Sequence, residues 1–178
     1  METERLVLRH WRETDRAPFS AINADPIVME HFPSVQSAEE SNEFVDRIEQ
    51  HFTDHGWGFW AIEIPGVAPF IGFVGLSSLT LLDTPMVEIG WRLDKRYWNQ
   101  GYATEAARAA LDFGFGDLNL DEIVAYTTHT NLPSRRVMEK LGMSRDAAED
   151  FIHPNIPAGD RLQPFVLYRI RNPHPRTD

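Results

Sequence analysis

From Glu88 to Glu105 the chain passes from an alternating apolar stretch into a short polar loop and then into a helix-forming run. The first turn of a helix leaves its backbone N–H groups free, and the helix dipole adds positive potential there, so a strand-loop-helix of this kind can hold an anion. Gly101 removes the Cβ that would keep a phosphate at a distance, Ala103 is nearly as small, and Thr104 adds a hydroxyl donor. A plain glycine turn between strand and helix accounts for the same residues. The loop is not a P-loop and carries no G-x-G-x-x-G string. Gly114-Phe115-Gly116 follows a helix, lacks a third glycine and reads as a helix terminus. The chain has no cysteine, which excludes disulfides, thiolate metal sites and a cysteine nucleophile.

The elements that must position this loop follow from periodicity. Leu6, Leu8 and His10 alternate with Val7 and Arg9 in a first strand. Thr14 or Asp15 is expected to cap a short helix through Ile22, stopped near Asp25-Pro26. Ser37 and Glu40 have capping-box spacing and open a helix with Phe44, Val45, Ile48 and Phe52 on one face, ending at Gly56. Three consecutive strands are expected over 59–64, 70–76 and 86–93, separated by Pro65-Gly66 and by Asp83-Thr84-Pro85. A helix over about 104–115 presents Ala106, Ala109, Ala110 and Phe113 inward. A strand over 122–128, a helix opening near Pro133 and stopping at Leu141-Gly142, and a closing strand over 164–170 complete the pattern. Interleaved elements with three strands in a row predict a mixed α/β fold, a mostly antiparallel sheet flanked by helices, in one domain over 1–178.

Of 178 residues, 42% are apolar and 25% charged, enough for a buried core. The net charge of −10, with −7 of it in residues 1–60, argues against nucleic-acid binding and suits a cationic partner or simple solubility. No apolar run is long enough for a membrane span, the polar start leads us to expect no signal peptide, and the absence of cysteine leads us to expect a reducing cytoplasm.

Two spaced motifs carry a resemblance to a known family. The string from Tyr97 through Trp98, Asn99, Gln100, Gly101, Tyr102, Ala103 and Thr104 to Ala106 resembles the coenzyme A loop of the GNAT N-acetyltransferases. Trp98 in the loop's first place is similar to the branch of ribosomal-protein alanine acetyltransferases of RimJ/RimL type. Downstream, Asn131, Ser134, Lys140 and Gly142 fall at the family's spacing, with Met143 where the family has phenylalanine, and Glu4 to Arg9 resembles the branch's opening strand. The resemblance runs from Thr3 to about Arg171. It implies the GNAT acyl-CoA fold, with splayed fourth and fifth strands. Pantetheine would pair with backbone around Trp91, Arg92 and Leu93 like an added strand, and diphosphate would sit on Asn99 to Thr104.

The resemblance, for Asn131 and Ser134, and residue chemistry, for the others, give roles to single residues, each with a simpler competitor. Asn131 is expected to bind the pantetheine amide; an N-cap is the alternative. Ser134 stands where the branch keeps a serine. It would assist the departing thiolate by hydrogen bonding, since the place where other members keep a tyrosine is Met138, which cannot donate. Glu88 would take the acceptor's ammonium proton, but Arg92 lies on the same strand face, so an ion pair between them competes. Arg136, together with Arg96 and Arg135, is a candidate for the 3′-phosphate. His51 and His55 supply at most half a metal site, so no metal is expected. Trp57, Phe59 and Trp60 line an acceptor pocket or pack in the core. These readings converge on an acetyl-CoA-dependent N-acetyltransferase, monomer or homodimer, with acetyl-CoA as co-substrate. Its acceptor is a protein N-terminus or a small amine, and the acidic charge suits a cationic one. The competing reading is a non-catalytic acyl-CoA sensor or scaffold.

Overall fold

A computed structural model describes residues 1–173; positions 174–178, the end of the expected domain range, lie outside the described residues. The chain runs β1 (Val7–Arg9), α1 (Arg16–Asn23), α2 (Ala38–His55), β2 (Phe59–Ile64), β3 (Ala68–Leu81), β4 (Thr84–Leu93), α3 (Tyr102–Gly116), β5 (Glu122–Thr128), α4 (Leu132–Lys140), β6 (Ser144–Arg145), β7 (Phe151–Ile152) and β8 (Pro164–Arg171). The strands form one sheet in the order β1-β2-β3-β4-β5-β8-β6, with β7 beside β8. Every pairing is antiparallel except β4 with β5.

Alternation along the sheet decides which helix meets which side chains. Phe73 and Arg92 are cross-strand partners on one face, where Phe19 of α1 and Phe44 of α2 pack against Phe73 at ring-centroid distances of 5.8 and 5.7 Å. Leu76, of opposite parity, turns to α3. There a Cβ on Gly114 would stand 2.9 Å from Leu76 Cδ1 and 2.7 Å from Ile123 Cδ1. The close approach comes from small residues, since Ala106, Ala107 and Ala110 are all fully buried. The buried stripe of α3 is Ala106, Ala107, Ala110, Leu111 and Gly114; Ala109 and Phe113, expected inside, are its half-buried flanks.

Three local expectations need correction. Asp15 does not cap α1 through its side chain. It receives Arg9 Nη1 at 2.7 Å, Arg9 Nη2 at 2.9 Å and the Arg12 N–H at 2.8 Å, because a buried guanidinium is a stronger partner than a helix N–H. The strand expected to end at Leu76 runs on to Leu81, and β4 begins at Thr84. Leu82 and Asp83 both take positive φ, 48° and 63°, closing a two-residue hairpin whose twist suits its strands. Thr84 and Pro85, expected between the strands, lie in the ladder, opposite Leu81 and Thr80. The short strands β6 and β7 had no periodic signal at two residues each. By contrast, the Ser37–Glu40 capping box forms as expected, with Glu40 N–H on Ser37 Oγ at 3.1 Å and Ser37 N–H on Glu40 Oε2 at 2.7 Å.

Candidate active site

The sheet opens between β4 and β5. Glu88 and Val124 are the one registered pair between them. Beyond it β4 stays paired with β3 as far as Leu93, and β5 stays paired with β8 as far as Thr128. Each strand keeps its outer neighbour, so the two diverge as intact strands, and β4 presents a free edge from Ile89 to Leu93. At the end of that edge the Trp98 indole donates to the Leu93 carbonyl at 2.9 Å, folding the following loop back onto the strand. The side chain of Arg92 points to the α1–α2 face, so only its backbone belongs to this edge.

The loop then turns through two left-handed residues, Asn99 at φ 59° and Gly101 at φ 85°. The first intrahelical bond of α3 is donated by Glu105 to the Gly101 carbonyl at 3.0 Å. The N–H groups of Gly101, Tyr102, Ala103 and Thr104 therefore have no partner among the described residues, and Gly101 supplies no side-chain cap. Such a set of free donors fits the oxygens of a diphosphate. A residue with no assigned role, Arg5, stands beside them. Its guanidinium lies 4.6 Å from the Tyr102 ring centroid, donates to the Gln100 carbonyl at 3.0 Å and pairs with Glu105 at 2.6 Å. A Cβ on Gly101 would come within 3.2 Å of Arg5 Nη2. Nothing in the local pattern around Arg5 announces this contact across about a hundred residues of chain.

Glu88 occupies the apex of the opening, half-buried, and crowding by surrounding atoms pushes its pKa up to about 7. A hydrogen bond from Tyr126 on β5 acts the other way and keeps the carboxylate within reach of neutral pH. The tyrosine in turn is held above its ordinary pKa by burial and by the neighbouring carboxylate. Tyr126 could be found only once the register placed it one strand from Glu88. The expected competitor, a Glu88–Arg92 ion pair, does not form. Arg92 donates through Nη1 to Asn23 Oδ1 at 2.6 Å and to Gln36 Oε1 at 3.4 Å. Four residues of strand separate Glu88 and Arg92, roughly 13 Å at ~3.3 Å per residue, so sharing a face does not bring them together.

At the far end of β5, Asn131 is the N-cap of α4. Its Oδ1 accepts the Ser134 N–H at 3.2 Å and its Nδ2 donates to Thr127 Oγ1 at 2.9 Å. Ser134 is half-buried, and its hydroxyl makes no hydrogen bond among the described residues. Met138 is 2% exposed and belongs to the core, so its position offers no phenol-sized space at the surface. Of the three arginines, Arg96 pairs with Asp94 at 2.6 Å and Arg135 donates to the His129 carbonyl at 2.9 Å, while Arg136 is exposed. His51 and His55 stack on each other and against Trp57. His51 accepts the Ser78 N–H at Nε2, so its Nδ1 carries the proton donated to the Trp57 carbonyl. Trp60 packs in the core, and Phe59 lies against Phe73 at 4.9 Å. No group of three or more metal-ligating side chains occurs among the described residues, and none of their helices is long and apolar enough to cross a membrane.

Residues 5–144 match the family described as the acetyltransferase (GNAT) domain. The chain belongs to the GNAT family. It is 33% identical over 174 residues to the uncharacterized N-acetyltransferase YnaD of Bacillus subtilis, covering 94% of each chain. YkkB of the same organism is 32% identical over 142 residues, covering 79% of this chain and 83% of its own. Among solved structures, a GNAT-family acetyltransferase from Bacillus anthracis superposes with a TM-score of 0.79 at 29% identity, covering 97% of this chain and 98% of that one. The likeness to RimL, the ribosomal L7/L12 alpha-N-protein acetyltransferase solved with coenzyme A, is one of fold, at 15% identity and a TM-score of 0.75 over 95% of each chain. The protein is thus a GNAT N-acetyltransferase, of a family that uses acetyl-CoA.

Proposed function

We propose that residues 1–178 act as one cytoplasmic GNAT domain that acetylates a primary amine by direct attack within a ternary complex. The observation that carries this reading is Glu88 at the apex of the β4–β5 opening, with a pKa of about 7 and no cationic partner among the described residues. A carboxylate poised there can accept the proton of an ammonium group at neutral pH, directly or through a water. Acetyl-CoA, when bound, supplies the acetyl group already activated as a thioester. The chain's own part is to hold and to move protons. The free N–H groups from Gly101 to Thr104, with Asn99, Gln100 and the Trp98-braced turn, receive the diphosphate. The open edge at Trp91, Arg92 and Leu93 pairs with the pantetheine amides, helped by Asn131, and Arg136 meets the 3′-phosphate. Ser134 donates its unengaged hydroxyl to the sulfur as the acetyl carbon bonds the amine nitrogen and the carbon–sulfur bond breaks.

The acceptor remains a choice between a protein N-terminal amine, which the RimJ/RimL resemblance favours, and a small amine. A neighbouring fold, the Vibrio cholerae spermidine N-acetyltransferase solved with CoA and spermine, supports the second at the level of fold. The test is release of free thiol from acetyl-CoA across peptides, polyamines, amino acids and aminoglycosides. Turnover with at least one amine, abolished in Glu88→Gln, is the expected result. Acetyl-CoA binding without thiol release on any amine would overturn it in favour of a non-catalytic acyl-CoA module.

A further inference from the structure

Arg92 is buried to 8% exposure, yet no acidic side chain among the described residues pairs with it. The contrast within the chain is direct. Arg9 meets Asp15 and Glu63, Arg16 meets Glu13, Asp46 and Glu49, and Arg169 meets Glu122 and Glu149. Arg92 has instead two neutral amides on one nitrogen, Asn23 at 2.6 Å and Gln36 at 3.4 Å. Aromatic rings surround its faces, with Phe32 at 4.3 Å and Phe44, Phe73 and Phe19 at 5.5 to 5.9 Å from the guanidinium carbon. Rings stabilise the face of a guanidinium but do not accept its in-plane N–H groups. Nε is buried with no hydrogen-bond partner among the described residues. The charge is correspondingly uncompensated, and desolvation lowers the pKa of Arg92 to about 10. An oriented guanidinium with an unmade in-plane bond is half of a fork that a carboxylate completes.

Its position joins it to the chemistry. Glu88, Gly90 and Arg92 alternate onto one face of β4, and Gly75 lies directly opposite Gly90. With no side chain at either glycine, the Phe59 ring covers the span between the two charges, and a Cβ on Gly90 would come within 3.2 Å of it. The segment joining α1 and α2 supplies Phe32 and Gln36 over Arg92. It also reaches β5 through His31, 3.4 Å from Thr128 Oγ1, and it meets Arg161 at the Glu30 carbonyl at 2.8 Å. That segment therefore borders the β4–β5 opening on the face that carries both Glu88 and Arg92.

We propose that the acceptor is an amine bearing a carboxylate, with its ammonium at Glu88 and its carboxylate on Arg92. This rests on the N-acetyltransfer reading above and narrows it to a substrate class. The roughly 13 Å strand separation of the two residues, at ~3.3 Å per residue, favours an amine and a carboxylate several atoms apart, as in a dipeptide or an ω-amino acid.

The test is a set of matched acceptors, 5-aminopentanoate and glycyl dipeptides, each against its own carboxamide. Thiol release from acetyl-CoA is the readout, with pentylamine and a polyamine as uncharged-end and cationic controls. Wild type is expected to prefer each carboxylate over its carboxamide by at least tenfold in kcat/KM, carried mainly by KM. Arg92→Gln is expected to bring that preference to within about twofold. Phe32→Ala, at a 38% exposed ring over the Arg92 guanidinium, is expected to reduce it, and pentanoate is expected to inhibit wild type where pentanamide does not. The inhibition and the wild-type preference need no variant, so a failure of Arg92→Gln to fold leaves the proposal open to refutation. Equal use of carboxylate and carboxamide by wild type, or a preference that survives in Arg92→Gln, overturns the proposal while leaving N-acetyltransfer intact. An absence of thiol release with these amines and with every peptide, polyamine, amino acid and aminoglycoside overturns both.

Discussion

Replacing Glu88 by Gln removes one proton site and little else, because the amide keeps the size of the side chain and can still accept from Tyr126. Two effects of known sign follow. The carboxyl titrates ordinarily near 4.5 and in the folded chain at about 7. Between these values the folded state binds more protons than the unfolded one, so stability falls as pH rises through this window and is flat above it. At ~1.36 kcal/mol per pH unit the full penalty is roughly 3 kcal/mol, reached near pH 8 and absent below pH 4.5. Glu88→Gln should therefore match wild type in melting temperature at pH 4.5 and exceed it at pH 8. The gain is about 1–3 kcal/mol, at ~2–4 °C per kcal/mol for a chain of this size. Activity should move oppositely. Wild-type kcat/KM is expected to rise with pH and level off above about 7, whereas the variant loses that limb and some 10²–10⁴-fold in rate. Tyr126→Phe is the internal control. Loss of its hydrogen bond disfavours the carboxylate, so the limb should shift to higher pH. A variant with unchanged melting temperature at pH 8 and an unchanged pH–rate profile would refute both the placement of the proton and its use.

Ser134→Ala should lower kcat at least about tenfold and leave the acetyl-CoA Kd and the melting temperature unchanged, because the α4 cap uses the backbone N–H and not the hydroxyl. Normal turnover, measured by thiol release, would remove Ser134 from the chemistry. Gly101→Glu should abolish the thermal stabilisation by acetyl-CoA, which for wild type is ~2.7 kcal/mol at a hundredfold excess over Kd. The substitution places a side chain at φ 85° and a negative charge beside the free N–H groups; an undiminished melting shift would show that the diphosphate sits elsewhere. Gly114→Val should cost about 1–3 kcal/mol in denaturant titration, since its Cβ would lie 2.7 Å from Ile123, and no loss would mean that α3 can lift from the sheet.

What the sequence determined by itself is what local chemistry decides. The capping box at Ser37 and Glu40 needs only three residues of spacing, strands 59–64 and 122–128 need only their alternation, and the loop from Asn99 to Thr104 needs only its glycine and the helix behind it. The family resemblance drew on the same local strings. The tertiary structure alone decided who faces whom. Alternation put Glu88 and Arg92 on one face, but only packing showed one of them against Tyr126 and the other in a ring of phenylalanines, hydrogen-bonded to Asn23 and Gln36. It also brought Arg5 to the loop and carried β3 past its polar residues to Leu81. The physical reason is common to these cases. Spacing along a chain sets the direction of a side chain, whereas its partner, its desolvation and hence its pKa depend on atoms contributed by distant segments, which only the fold brings into place.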